Sequence, residues 1–277
     1  MVIETGHRRE FDFSDENFRH VRALINQLAG ITLSERKTDM VYARLARRLR
    51  ALGYSDFDSY LAFVENDEHE SVHFTNSLTT NLTHFFRESH HFDYLADVYF
   101  PEILSQGKKR IRIWSAGCST GEEPYSLAIT WRSRVKDAHR YDFKILATDL
   151  DTNVLDVCRQ GLYAKDKVMQ LDDEYQQWFR ATKRCNSQQM EVFPKLREQI
   201  VFKQLNLMDE WPIKGPLDVI ICRNVLIYFD KPTQQKLVNR FAQLLSDRGC
   251  LILGHSENLS ANKNMFESIG QTTFRKS

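Results

Sequence analysis

The chain has 277 residues, 42% hydrophobic and 27% charged, with a formal net charge of +1. Such values describe an ordinary globular chain, long enough for one catalytic domain plus a small extra one, and leave no global field to draw it to nucleic acid or a membrane surface. No apolar run reaches transmembrane length, residues 1–13 hold no apolar signal core, and the odd set of Cys118, Cys158, Cys185, Cys222 and Cys250, without a C-x-x-C pair, reads as reduced thiols of a cytosolic protein.

The first third reads as helices. Ser14 suits an N-cap, and Phe18, Val21, Leu24, Ile25 and Leu28 recur at helical spacing until Gly30. Ser34 suits the cap of a second helix, with Val41, Leu45, Leu49 and Leu52 on one stripe and Gly53 at its end. That helix carries Arg44, Arg47, Arg48 and Arg50, and the first three share a face. The face is either a dock for acidic partner helices or an ordinary solvated surface. Short helices fit 57–64 and 72–78, and a longer one fits 88–104, reaching Pro101 near its end.

Strands then alternate with helices. Strands are expected near 110–115, 143–148, 199–202, 217–222 and 250–254, with helices over 123–135, 151–160 and 232–245. Alternation of this kind argues for α/β architecture, a doubly wound parallel sheet with helices on both faces. Short strands near 266–269 and 272–275 would add an antiparallel edge. Residues 161–198 are too many for a simple connection. They are rich in charge and amides, with strand character only at 190–193.

The stretch Ile111–Leu127 carries the most information: a short apolar strand, a small-residue turn, then a helix with Pro124 in its first turn. A dinucleotide fingerprint would want glycine where Ala116 and Cys118 stand. Gly117-x-Ser119-x-Gly121 instead has the spacing of S-adenosylmethionine (AdoMet) binders, and Glu122 and Glu123 follow at once, unsuited to a pyrophosphate. The two glycines are expected to let the backbone approach the ligand. One glutamate suits the helix dipole by position alone. Asp149 ends the second strand, where a carboxylate can accept from both ribose hydroxyls or cap the next helix, though Asp151 is the better cap.

Five blocks, in order, carry a family resemblance: NLTHFFRE (81–88), WSAGCSTGEEPYS (114–126), ATDLDT (147–152), LNL (205–207) and CRNVLIYFD (222–230). Together they resemble the chemotaxis receptor glutamate methyltransferases, the CheR family, over nearly the whole chain. The resemblance implies an N-terminal all-α domain (1–85), a Rossmann-like AdoMet-dependent methyltransferase domain (86–277), and a small β-rich subdomain inserted at 161–198. It places Asn81, Thr83 and Arg87 at the AdoMet or substrate pocket. Ala116 and Cys118 would line the turn, Gly117 would lie against the cofactor, and Glu123 would make the ligand contact, with Glu122 left to the dipole or solvent. Asp149 would take the ribose, and Asn206 and Leu207 the adenine. Cys222, Arg223, Asn224 and Tyr228 would stand at the methyl-donor end, with Arg87 and Tyr228 in catalytic roles. Without the family, Arg87 reads as a salt bridge to Asp93 or Glu88, and Tyr228 as packing between Ile227 and Phe229.

The implied reaction transfers the methyl group of S-adenosyl-L-methionine to a glutamate γ-carboxylate, leaving S-adenosyl-L-homocysteine. Glutamate is already an anion at neutral pH, so no general base and no metal are expected. The implied partner is a chemoreceptor cytoplasmic domain, with a regulatory adaptor protein as a further candidate; the expected protein is a cytoplasmic monomer that neither enters the membrane nor binds nucleic acid. Rival readings are a methyltransferase acting on RNA or a small molecule, a non-catalytic AdoMet sensor, and a dehydrogenase. The chain lacks the diproline clamp of base methyltransferases, having Asn224-Val225-Leu226-Ile227-Tyr228 instead, and it lacks the positive charge expected for RNA.

Overall fold

A computed structural model describes residues 9–184, 186–259 and 264–277, so Cys185 lies outside the described residues. The chain divides into two compact units between Thr80 and Asn81. The sequence reading put the boundary at 85/86; the contacts place residues 81–85 with the second unit.

The first unit holds α1 (Asp15–Ala29), α2 (Thr38–Leu52), α3 (Phe57–Asn66) and α4 (Glu68–Leu78). Ser14 and Asn17 form a reciprocal capping box, and Gly30 ends α1 in the left-handed conformation. Ser34 precedes a 3-10 turn, Glu35–Lys37, and makes no side-chain cap, so α2 starts at Thr38. The arginine face of α2 is not a free basic surface. Arg44 donates to the carbonyls of Ser77 (3.2 Å) and Thr79 (2.5 Å), and Arg48 Nε to Glu70 Oε1 (3.0 Å), a buried carboxylate that also accepts from Tyr60. Arg50 pairs with Glu10, which leaves Arg47 as the arginine of this helix that is exposed and without an ion pair among the described residues. Geometry of the i, i+4 kind marks a shared face but says nothing about what lies across it.

In the second unit α5 (His90–Tyr94) runs through a π-helical turn, Leu95–Tyr99, into α6 (Phe100–Ser105). The expected single helix is thus interrupted just before Pro101, which has no N–H to offer the carbonyl four residues back. Then follow β1 (Arg110–Ala116), α7 (Glu122–Arg134), β2 (Asp142–Asp149) and α8 (Thr152–Gln160). The next stretch contains β3 (Leu162–Ala164), α9 (Lys165–Met169), α10 (Asp173–Gln176), β4 (Phe179–Arg180), β5 (Gln189–Val192) and α11 (Pro194–Arg197). The chain closes with β6 (Ile200–Gln204), β7 (Leu217–Cys222), α12 (Lys231–Leu244), β8 (Leu245–Leu253), β9 (Phe266–Gly270) and β10 (Thr273–Lys276).

Seven strands form one sheet in the order β6-β2-β1-β7-β8-β10-β9, and β3-β5-β4 form a separate antiparallel sheet within 162–192. Pairing is parallel from β6 to β8 and antiparallel from β8 through β10 to β9. Alternation along β1 sorts the core: Ile111 and Ile113 pack with Tyr125, Ile129 and Trp131 of α7, while Trp114 and Ala116 pack with Leu237 and Phe241 of α12. Both faces are covered, giving the expected doubly wound α/β sheet with its antiparallel edge. From β1 the chain steps to β2 and β6 on one side, then returns to β7 and β8 on the other. The strand order thus reverses between β1 and β7, the switch point at whose carboxyl ends such sheets bind ligands.

Candidate active site

The turn after β1 is hooked to its neighbour. The N–H groups of Gly117 and Cys118 both donate to the carbonyl of Thr148 (2.8 and 2.9 Å), and Gly121 N–H to Cys118 O (3.0 Å). Gly117, Ser119 and Gly121 all hold positive φ (84°, 48° and 96°). A Cβ on Gly117 would fall 2.4 Å from Val225 Cγ2, and one on Gly121 2.7 Å from the Tyr163 hydroxyl. The space where a side chain would stand at each glycine is thus filled by a neighbouring residue.

Asp149, at the end of β2, accepts from Ser119 N–H (Oδ2, 2.7 Å) and Asp151 N–H (Oδ1, 3.0 Å). Burial pushes its carboxyl up to about 6, against the pull of those two N–H groups. Asp151 is the cap of α8, accepting from Asn153 N–H (2.9 Å). Its other oxygen takes Asn81 Nδ2 (2.8 Å), while Ser119 Oγ donates to Asn81 O (3.0 Å). The arm 81–88 is thus sewn to the ends of β1 and β2. Thr83, half-buried in that arm, makes no side-chain hydrogen bond among the described residues.

The two glutamates of α7 are both buried. Glu123 accepts from Ser115 Oγ (2.7 Å) and from Arg223 Nε (2.7 Å). Glu122, expected at the dipole or in solvent, is fully enclosed, accepting from Thr120 Oγ1 (2.6 Å) and pairing with Lys167 Nζ of α9 (3.0 Å). No local pattern marks that partner, 45 residues on.

Arg223 turns into the protein. Besides Glu123 it reaches the carbonyl of Arg87 and His91 Nδ1 (3.2 Å), and it lies over the Phe92 ring. His91 Nε2 lies 2.8 Å from the carbonyl of Gln271, so Nε2 carries the proton and Nδ1 accepts. Burial first, then Arg223, push His91 down to about 4, so it stays neutral. Glu88, His90 and His91 have ligand atoms within 4.8 Å of one another, but a cation there would face the Arg223 guanidinium.

Arg87 lies half-exposed. One Nη donates to Leu82 O (3.0 Å), and it forms no ion pair among the described residues; Asp93 faces Arg134, and Glu88 lies against His255. Neither salt bridge that sequence alone suggested is present.

After β6, Asn206 Oδ1 accepts from Met208 N–H (3.0 Å), closing a turn, and Leu207 is buried among Trp114, Phe241 and Leu237. Cys222 is buried at the end of β7, and burial holds its thiol well above the ordinary range, as it does for Cys118. Neither is poised as a nucleophile. Asn224 takes a left-handed conformation (φ 59°), and Tyr228 sits half-buried in the 3-10 turn Leu226–Tyr228. Ala116 is buried at the tip of β1.

Asn81, Ser119, Asp149 and Asp151 are thereby linked by hydrogen bonds, Glu123, Arg223 and Arg87 form a second linked set, Gly117 is tied to Thr148, and Leu205 N–H, beside Asn206, donates to Asp149 O (2.9 Å). Sequence reasoning missed Ser115, His91 and Glu257, the last of which accepts from the N–H groups of Asn224, Val225, Ile227 and Gly254. Nothing in local periodicity or spacing points to them.

Residues 81–275 match a family model described as the CheR methyltransferase SAM-binding domain, and residues 16–79 match one described as the CheR methyltransferase all-alpha domain. Chemotaxis protein methyltransferase 2 of Pseudomonas aeruginosa is 44% identical over 271 residues, covering 96% of this chain and 95% of that protein. The chemotaxis protein methyltransferase of Escherichia coli (strain K12) is 43% identical over 265 residues, covering 94% and 91%. A probable chemotaxis protein methyltransferase of Rhizobium etli is 44% identical over 253 residues, covering 89% and 94%. With these two family models and these relatives along nearly all its length, the chain belongs to the CheR family of S-adenosylmethionine-dependent methyltransferases.

Proposed function

We propose that this enzyme works in the cytoplasm, esterifying the γ-carboxylate of glutamates in the cytoplasmic helices of chemoreceptors. The observation that carries the reading is Arg87. Its carbonyl is gripped by Arg223, its guanidinium uses one N–H on Leu82 O, and the remaining donors are open to an incoming carboxylate.

The side chains present fit the cofactor. Asp149 uses one lone pair on each oxygen for backbone N–H groups, and a carboxylate has about four such sites, so each oxygen can still take a ribose hydroxyl. Glu123 likewise has capacity beyond Ser115 and Arg223 for the cofactor's ammonium. Asn206 and Leu207 suit the adenine, with an amide edge beside an apolar wall. Asn81, Thr83, Ala116, Gly117, Cys222, Arg223 and Asn224 complete the assigned set. Bound S-adenosylmethionine supplies an electrophilic methyl group on a sulfonium.

A glutamate needs no activation, because its side chain ordinarily loses its proton at about pH 4.3. The protein's task is placement, which can supply about 7–11 kcal/mol of the barrier. Arg87 holds one carboxylate oxygen and leaves the other to attack, and Tyr228 faces the reacting groups from the loop after β7. Excluding water from the carboxylate also favours attack.

The test is transfer of radiolabelled methyl to isolated chemoreceptor cytoplasmic fragments, followed by an alkaline wash. Label released as methanol is expected, and label that resists base would mean a different acceptor atom. In the same assay Arg87→Ala and Tyr228→Phe should each slow transfer about 10- to 100-fold, with cofactor binding retained in Tyr228→Phe; near-wild-type turnover in both would sink their assignment.

A further inference from the structure

Glu257 follows β8 in Gly254-His255-Ser256-Glu257 and is 6% exposed. Its Oε1 accepts from the N–H groups of Val225 (3.0 Å) and Ile227 (3.3 Å), and its Oε2 from those of Asn224 (3.0 Å) and Gly254 (2.7 Å). Three of these donors belong to one irregular loop, residues 223–228, whose N–H groups no strand partner would otherwise satisfy. From the other side Gln234 of α12 donates to the carbonyls of Leu226 (2.8 Å) and Phe229 (3.0 Å). Gly254 lets the loops touch, since a Cβ there would stand 2.7 Å from Asn224 Nδ2 and 2.8 Å from Asn224 N. Asn224 holds a left-handed backbone (φ 59°), which asparagine adopts more readily than most residues.

We propose that Glu257 is a positioning residue of methyl transfer, its carboxylate clamping the backbone of the 223–228 loop so that Tyr228 is presented to the reacting groups. The inference rests on the role given to Tyr228 above. An ionised carboxylate is the side chain that offers acceptors on both oxygens. Glutamine in its place would turn an NH2 toward two backbone N–H groups and push that half of the loop away. Burying an anion is costly, and burial does push its pKa up while the N–H groups pull it back.

The experiment is a double-mutant cycle with Glu257→Gln and Tyr228→Phe, read as kcat for methyl transfer to receptor fragments, with thermal melting to confirm folding. Glu257→Gln is expected to lower kcat about 10- to 100-fold, the scale of a misplaced group. In the Tyr228→Phe background the same change should cost less than about threefold, because the hydroxyl whose placement the clamp serves is then gone. Losses that multiply, or wild-type kcat in Glu257→Gln, overturn the proposal and leave Glu257 a structural residue. Wild-type turnover in Tyr228→Phe alone sinks the role of Tyr228, and this inference with it. Should Glu257→Gln fail to fold, Glu257→Asp carries the same cycle, with both oxygens kept on a shorter stem.

Discussion

The loops after β1 and β7 leave adjacent strands at the same edge of the sheet and are held by opposite means. The first, 117–121, is shaped by its own residues: two glycines and Ser119 at positive φ, an internal bond from Gly121 to Cys118, and a hook onto the neighbouring strand at Thr148. The second, 223–228, has no glycine and, beyond its own 3-10 turn and the left-handed Asn224, is held from outside, with Glu257 on its N–H groups and Gln234 on the carbonyls of Leu226 and Phe229. A loop built on backbone preference announces itself in local sequence, whereas a loop built on borrowed acceptors does not. The two meet where Val225 fills the space over Gly117.

That meeting point is where the largest effect is expected. Gly117→Ala adds a methyl 2.4 Å from Val225 Cγ2 at φ 84°. Left-handed backbone costs a non-glycine residue about 1–2 kcal/mol and overpacking about 1–3 kcal/mol. The variant should therefore melt well below the parent and bind the cofactor poorly by calorimetry. Adding Val225→Ala should recover the packing part and not the backbone part; a wild-type melting point for Gly117→Ala would break the comparison.

Asp149 offers a gentler probe of the first loop. Its folded pKa is raised to about 6. The stability it contributes is accordingly present in full below its unfolded value, near 3.8, and is lost as pH rises through about 6. The ionised form is the one that can accept ribose hydroxyls on both oxygens. Cofactor affinity, followed by calorimetry from about pH 7.5 to about pH 5, should weaken roughly tenfold, and a flat profile would remove Asp149 from the binding reading.

The smallest effect belongs to the carbonyl side of the second loop. Gln234→Ala removes two neutral hydrogen bonds, worth about 1 kcal/mol each to stability, and should lower kcat only about two- to fivefold. A loss as large as that of Glu257→Gln would mean that the loop needs both of its supports equally.

Much of the fold was legible. Apolar periodicity located α1, α7, α8 and α12 and the five parallel strands to within a few residues, save the start of β8, because those patterns are properties of neighbouring positions. The small sheet at 162–192 was legible only at β5, since β4 has two residues and β3 three. The π-helical turn before Pro101 was hidden because proline can be tolerated near a helix start as well as in a distortion. At the site, the residues bearing the resemblance do gather at the strand ends, but their partners were not readable. Glu122 was expected at the helix dipole or in solvent, but it pairs with Lys167, and Arg44 and Arg48, read as either a docking or a solvated face, are engaged by Ser77, Thr79 and Glu70.

The sequence by itself determined the order of helices and strands, the doubly wound sheet, the glycine turn and the family, since each is written in spacings of a few residues or in motifs read in line. Only the tertiary structure decided which charges face which. Arg223 meets Glu123, Arg87 and His91 across 100 residues or more, and Glu257 meets the 223–228 loop across about 30. Buried polar groups must be satisfied wherever the fold happens to bring a partner, and that place is set by packing rather than by neighbours in the chain.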